Sequence, residues 1–119
     1  MFRTILITIV LLLPATLLAQ ADSVHFAKCK VTCSWSRTGE DAVVTVTIKN
    51  GSKKTLVDPK VRVTFYDKDG NELTTDAKMY FVRIGPGKSK TMEGRIWDFV
   101  SEAAVKEKTK SELEGGYFE

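Results

Sequence analysis

Polar and apolar side chains alternate along most of the chain from residue 28 onward. In Lys28–Trp35 the apolar positions are Cys29, Val31, Cys33 and Trp35, with Lys28, Lys30, Thr32 and Ser34 between them. A period of two over eight residues predicts a half-buried strand, because successive side chains of an extended chain point to opposite faces. Arg37-Thr38-Gly39 predicts a turn, and Ala42–Asn50 alternates again with Val44, Val46 and Ile48 on one side. Asn50-Gly51-Ser52 closes that strand with residues that tolerate positive φ. Lys60–Asp67 predicts a third strand with Val61, Val63 and Phe65 inward, and Asp69-Gly70 a tight turn after it. A weaker strand is predicted over Glu72–Thr75, then one over Lys78–Ile84 with Tyr80, Val82 and Ile84 on one face. Gly85-Pro86-Gly87 turns the chain into a strand over Thr91–Trp97, with Met92 and Ile96 inward and Glu93 and Arg95 outward.

The C-terminal stretch breaks this rhythm. Ser101–Lys108 begins with an N-cap residue followed by good helix formers, which predicts a short helix. Thr109–Phe118 reads either as an extension of that helix to Glu114 or as a closing strand. Gly115-Gly116 stops any helix before them. Short strands separated by turns about every ten residues predict an all-β, immunoglobulin-like antiparallel sandwich.

The first residues have a different pattern. After Met-Phe-Arg the chain is apolar from Ile5 through Ala19, broken only by Thr8, Pro14 and Thr16. That run is too short to cross a hydrocarbon layer of about 30 Å as a helix, and Ala19-Gln20-Ala21 has the small-x-small form of a cleavage site. Residues 1–21 read as a signal peptide and 22–119 as the mature domain, starting at Asp22 and exported to the periplasm or beyond. No cysteine stands at the end of the apolar run, which argues against a lipoprotein, and no stable membrane insertion is expected after cleavage.

Charge narrows the picture little. The full chain has 18 Lys and Arg against 15 acidic residues, and only Arg3 among these lies in the leader. The mild basic excess is spread without a run, which argues against nucleic-acid binding.

The run Val44–Asn50, the segment Val63-Thr64-Phe65-Tyr66-Asp67, the turn Asp69-Gly70 and the turn Gly85-Pro86-Gly87 together resemble the FxLYD-type domain. Val stands for the leading Phe of that motif and Phe for the Leu, and both keep an apolar inward side chain. The resemblance covers about half the chain, from Ala42 to Gly94. It implies an immunoglobulin-like sandwich of the kind found in exported bacterial and archaeal proteins. It carries over no catalytic residues, since no activity defines the family.

Candidate chemistry centres on Cys29 and Cys33. On a regular strand they share a face about 13 Å apart, whereas a disulfide needs Cα atoms about 4.4–6.8 Å apart. Either both are separate buried thiols acting as small hydrophobes, or the strand breaks and they close a small loop. The unbroken alternation favours the first. Their spacing is one residue longer than the C-x-x-C of redox motifs. His25, Cys29 and Cys33, with Met79 or Met92 as soft additions, are the candidate metal ligands. A strand spreads the first three over about 26 Å, so no metal and no cofactor are expected.

Asp67–Glu72 (D-K-D-G-N-E) lacks the EF-hand positions of glycine and glutamate and reads as a hairpin turn. G-P-G-K-S at 85–89 lacks the spacing of a phosphate loop. No catalytic residues are expected: His25 is the single histidine, and neither G-x-S-x-G nor H-E-x-x-H occurs.

Trp35 and Trp97 fall on inward faces and read as core. Tyr66, Phe81, Tyr117 and Phe118 are the aromatics expected to face outward, and clustered they would mark a protein-binding patch. The reading that follows is a non-catalytic module that binds another envelope protein through a sheet face or an open edge. The alternative is a metal-binding or thiol-redox protein using His25, Cys29 and Cys33.

Overall fold

The structure, a computed structural model, describes residues 23–119. The signal-peptide reading of residues 1–21 therefore lies outside the described residues. Seven strands follow a short helix at residues 23–27. They are β1 (Cys29–Thr38), β2 (Asp41–Asn50), β3 (Leu56–Tyr66), β4 (Glu72–Met79), β5 (Arg83–Ile84), β6 (Ser89–Trp97) and β7 (Lys110–Phe118). One sheet has the order β1-β2-β6. In the other, β3 is central, with β7 along one side and β4 then β5 along the other. All pairings are antiparallel, and the two sheets form an all-β sandwich.

Alternation explains why these segments are strands and which faces meet. Val44, Val46 and Ile48 of β2 and Val61, Val63 and Phe65 of β3 are fully buried, as are Leu56 and Trp97. Trp35 reaches across from β1 and meets Phe65 edge-on, with ring centroids 5.3 Å apart. Burying each such side chain contributes about 1.5–3 kcal/mol. This two-sided core is the main source of the fold's stability.

Bulges in β6 and β3 are among the departures from the simple period. Arg95 lies opposite Val44 and Met92 opposite Val46, so β6 carries one residue more than β2 between these pairs. Gly94, at φ +79°, supplies the left-handed backbone that the extra residue needs. The parity therefore flips. Met92 and Trp97 face the core while Ile96 turns outward, 48% exposed. The expectation of an inward Ile96 is corrected. Arg95 is exposed as expected, and its guanidinium lies 5.3 Å from the centroid of the Tyr80 ring.

The second bulge is in β3, where Asp58 sits at φ +48°. Around it the predicted strand over Lys78–Ile84 breaks. Tyr80 donates its N–H to Pro59 O (2.9 Å), and Asp58 donates to Val82 O (3.0 Å). The residues before the break join the predicted Glu72–Thr75 segment in β4, and those after it form β5. Gly116 of β7 packs against this bulge, and a Cβ there would lie 3.1 Å from Pro59 Cα.

Asn50, fully buried, ties the end of β2 to its surroundings. Its amide donates to Lys54 O (2.7 Å) and Ile84 O (2.8 Å), while its oxygen accepts from Ser52 N–H (3.0 Å) and Ser52 Oγ (2.7 Å). Beyond β7, Thr55 and Glu119 exchange both main-chain bonds, at 3.0 and 2.9 Å.

The predicted helix over Ser101–Lys108 is corrected to a 3₁₀ turn at Lys106–Lys108. Residues 101–105 carry the chain from one sheet to the other, and Val105 donates its N–H to Tyr66 O (2.9 Å). A helix through this segment would forfeit that crossing. The remaining tail, Lys110–Phe118, is a strand and not a helical extension.

Candidate interaction surfaces

Cys29 and Cys33 both lie on β1, project from the same face, and are free and half-buried. The strand is regular through them, since each residue from Cys29 to Thr38 pairs in register with β2. Cys29 Sγ donates weakly to His25 O (3.4 Å) and Asn50 Oδ1 (3.5 Å). Burial pushes both thiols up from their ordinary value of 9.0, with a hydrogen bond from the Gly51 backbone partly offsetting this at Cys29 and one with Ser111 at Cys33. A raised thiol is a poor nucleophile and a poor metal ligand at neutral pH. His25 turns its ring away to pack on Phe118, centroids 5.2 Å apart. Met79 and Met92 lie on β4 and β6, the strands farthest across the sandwich from β1. Among the described residues, no three His, Cys, Asp or Glu side chains come together as a metal site.

Asp67 holds the β3–β4 turn. Its Oδ1 accepts from the N–H groups of Asp69 and Asn71, both at 2.9 Å, and its Oδ2 from Asn71 Nδ2 at 3.1 Å. Bonds from Asn71 above all hold this carboxyl below its ordinary value of 3.8. The acidic run is a hairpin turn, as its spacing predicts.

The four expected outward aromatics divide. Phe81 is 80% exposed and Tyr117 53% exposed. They flank the β3 bulge from opposite sides, since Phe81 lies in the β4–β5 break and Tyr117 pairs with Val57. Tyr66 is only half-exposed, with Lys110 Nζ 5.4 Å from its ring centroid. Phe118 is corrected: it packs inward, its ring edge-on to Phe26 at 4.9 Å. The parity of β7 explains this, because Tyr117 takes the outer position and Phe118 the inner one.

The edges also differ. Along β1 and β7 the two sheets close on each other, through Trp35 Nε1 donating to Thr109 Oγ1 (2.8 Å) and Ser111 Oγ donating to Val31 O (3.5 Å). A groove of about 520 Å³ remains between them, lined by residues 31–33 and 109–112 with Thr64 and Tyr66. On the opposite side, β4 and β6 are the outer strands. Lys78 covers Trp97 there at 5.2 Å, and Arg95 covers Tyr80. Charged side chains and a bulge are features that discourage pairing with another chain.

One exposed aromatic was not legible in the sequence. Counting by two from Trp97 turns Phe99 inward. Instead Phe99 adopts φ +53°, Val100 takes the buried place, and the Phe99 side chain is 74% exposed. The β1–β2 hairpin fixes this geometry. Phe99 N–H donates to Asp41 Oδ1 (3.1 Å) and Val100 N–H to Glu40 O (2.8 Å). Arg37, whose guanidinium lies 5.6 Å from the Trp35 ring centroid, donates from Nη1 to Val100 O and from Nη2 to Ser101 O, both at 2.7 Å. A cleft of about 300 Å³ opens beside the ring, lined by Arg37, Gly39, Glu40 and residues 99–102. A left-handed backbone at a bulky residue leaves no trace in hydrophobic periodicity.

No known family model matches this chain, and no curated protein does. Among solved structures, the chain is similar to the X-ray structure of Northeast Structural Genomics Consortium target SoR45, at 14% identity and a TM-score of 0.42. The match covers 78% of this chain and 86% of that one.

Proposed function

We propose that this protein is an exported, non-catalytic β-sandwich module that binds another protein of the cell envelope. The observation that carries the reading is the exposure of Phe81, Phe99 and Tyr117 on a domain whose other large aromatics are buried or packed. Isolated exposed leucines and valines are ordinary, but exposed rigid aromatics are the side chains that dominate protein–protein contacts. Charges and a bulge guard β4 and β6, and β1 and β7 close on each other, so the end loops and outer faces are the favoured contact regions. The leader over residues 1–21 supports export. The Val63–Asp67 motif, with Phe65 buried and Asp67 in its turn, supports grouping the domain with the FxLYD type.

The test places a photo-crosslinking amino acid at position 81, 99 or 117 of the full chain and irradiates intact cells. The expected result is a discrete adduct of defined mass from at least one position, with the processed chain beginning at Asp22. Irradiation that yields uncrosslinked protein from all three positions overturns the interaction reading.

A further inference from the structure

We infer that Phe99 and the cleft beside it form the docking site for a cationic segment of a partner protein, in which a lysine or arginine stacks on the Phe99 ring and meets Glu40 and Glu102. This inference rests on the interaction-module reading and assigns it a place and a partner chemistry. Three observations point to it.

The ring is presented to solvent, 74% exposed, beside an open cleft of about 300 Å³. The backbone that presents it is fixed by bonds donated to Asp41 Oδ1 and Glu40 O and by bonds from Arg37, so little ordering entropy is lost on binding. The charges lining the cleft favour a cation. Glu40 and Glu102 are exposed carboxylates, and the single lining cation, Arg37, has both Nη groups directed at main-chain carbonyls. Asp98, next to Phe99 in the chain, and Asp41, which accepts the Phe99 N–H, add acidity nearby in a chain whose overall charge is +3. An aromatic face beside carboxylates is the arrangement that holds a guanidinium or ammonium group, by stacking and ion pairing together.

The test uses the ¹⁵N-labelled domain titrated with two peptides, Ac-Gly-Lys-Arg-Gly-Lys-Arg-Gly-amide and the same peptide with Glu at every basic position. The basic peptide is expected to shift amide signals of residues 37–41 and 98–102, and the acidic peptide to leave them in place. Phe99→Ala should weaken binding about three- to five-fold. Phe99→Leu, which keeps an apolar side chain without a π face, should weaken it comparably. Glu40→Lys with Glu102→Lys should reverse the preference between the peptides. Because all these side chains are exposed, an unchanged amide spectrum elsewhere verifies the fold. Shifts scattered over the surface, equal response to both peptides, or binding indifferent to Phe99→Ala overturns the inference. Such a failure leaves crosslinks at positions 81 and 117 intact, whereas failure of the broader reading removes crosslinks at every position.

Discussion

Asn50 and Phe99 show opposite ways in which one residue can shape a small domain. Asn50 uses its full side-chain hydrogen-bonding capacity in a buried site. Asn50→Ala would remove the side-chain partners of Ile84 O and the Ser52 N–H, while Ser52 Oγ and Lys54 O keep their bond to each other (3.0 Å). The expected cost is about 2–4 kcal/mol, read as a lower urea midpoint at unchanged slope. Phe99 instead carries a backbone conformation that disfavours any side chain, at a cost of about 1–2 kcal/mol. Phe99→Gly should therefore stabilise the fold by about 1 kcal/mol in the same measurement, even though it deletes an aromatic ring. A midpoint that falls on this substitution would show that the ring contributes packing that its exposure does not suggest.

Strands were legible in the sequence wherever the period of two ran unbroken, and lost where a single residue broke it. Val44, Val46 and Ile48, and likewise Val61, Val63 and Phe65, face the core as their alternation predicts. Past Gly94 the same rule gives the wrong face for Ile96, because one inserted residue reverses every later side chain. The helix expected over Ser101–Lys108 fails for a related reason: local propensity carries no information about a crossing held by Val105 and Tyr66. The β3 bulge offers a quantitative test at this scale. Gly116→Ala places a methyl between Pro59 Cα and Val57 O, at 3.1 and 3.2 Å, with φ at +120°. Gly70→Ala, at φ +85°, meets nothing within 4 Å. The first should cost more than about 2 kcal/mol and the second about 1 kcal/mol, by comparison of denaturation midpoints. Of the candidate surface, Phe81 and Tyr117 could be picked out from sequence, while Phe99 could not.

At the scale of the molecule, the two flanks of the sandwich differ in build, but groups on both respond to pH in the same direction. One flank is joined by Trp35–Thr109, Val31–Ser111 and Phe26–Phe118 contacts, and the half-buried thiols lie along it. The other is roofed by Lys78 and Arg95 over Trp97 and Tyr80. Burial raises Cys29, Cys33 and Tyr80 above their ordinary values, the last eased by Arg95. A group whose value is higher in the folded chain favours folding below its unfolded value, and that advantage fades as pH climbs through the folded one. Stability should accordingly hold through neutral pH and decline above about pH 9. Cys29→Ala with Cys33→Ala should flatten the onset of that decline, as followed by thermal melts from pH 7 to 11.

The reciprocal pairing of Thr55 with Glu119 has a kinetic consequence. The central strand of the larger sheet, made in the middle of synthesis, stays open along one side until the C-terminal segment arrives. The larger sheet is therefore complete only once β7 has docked on β3.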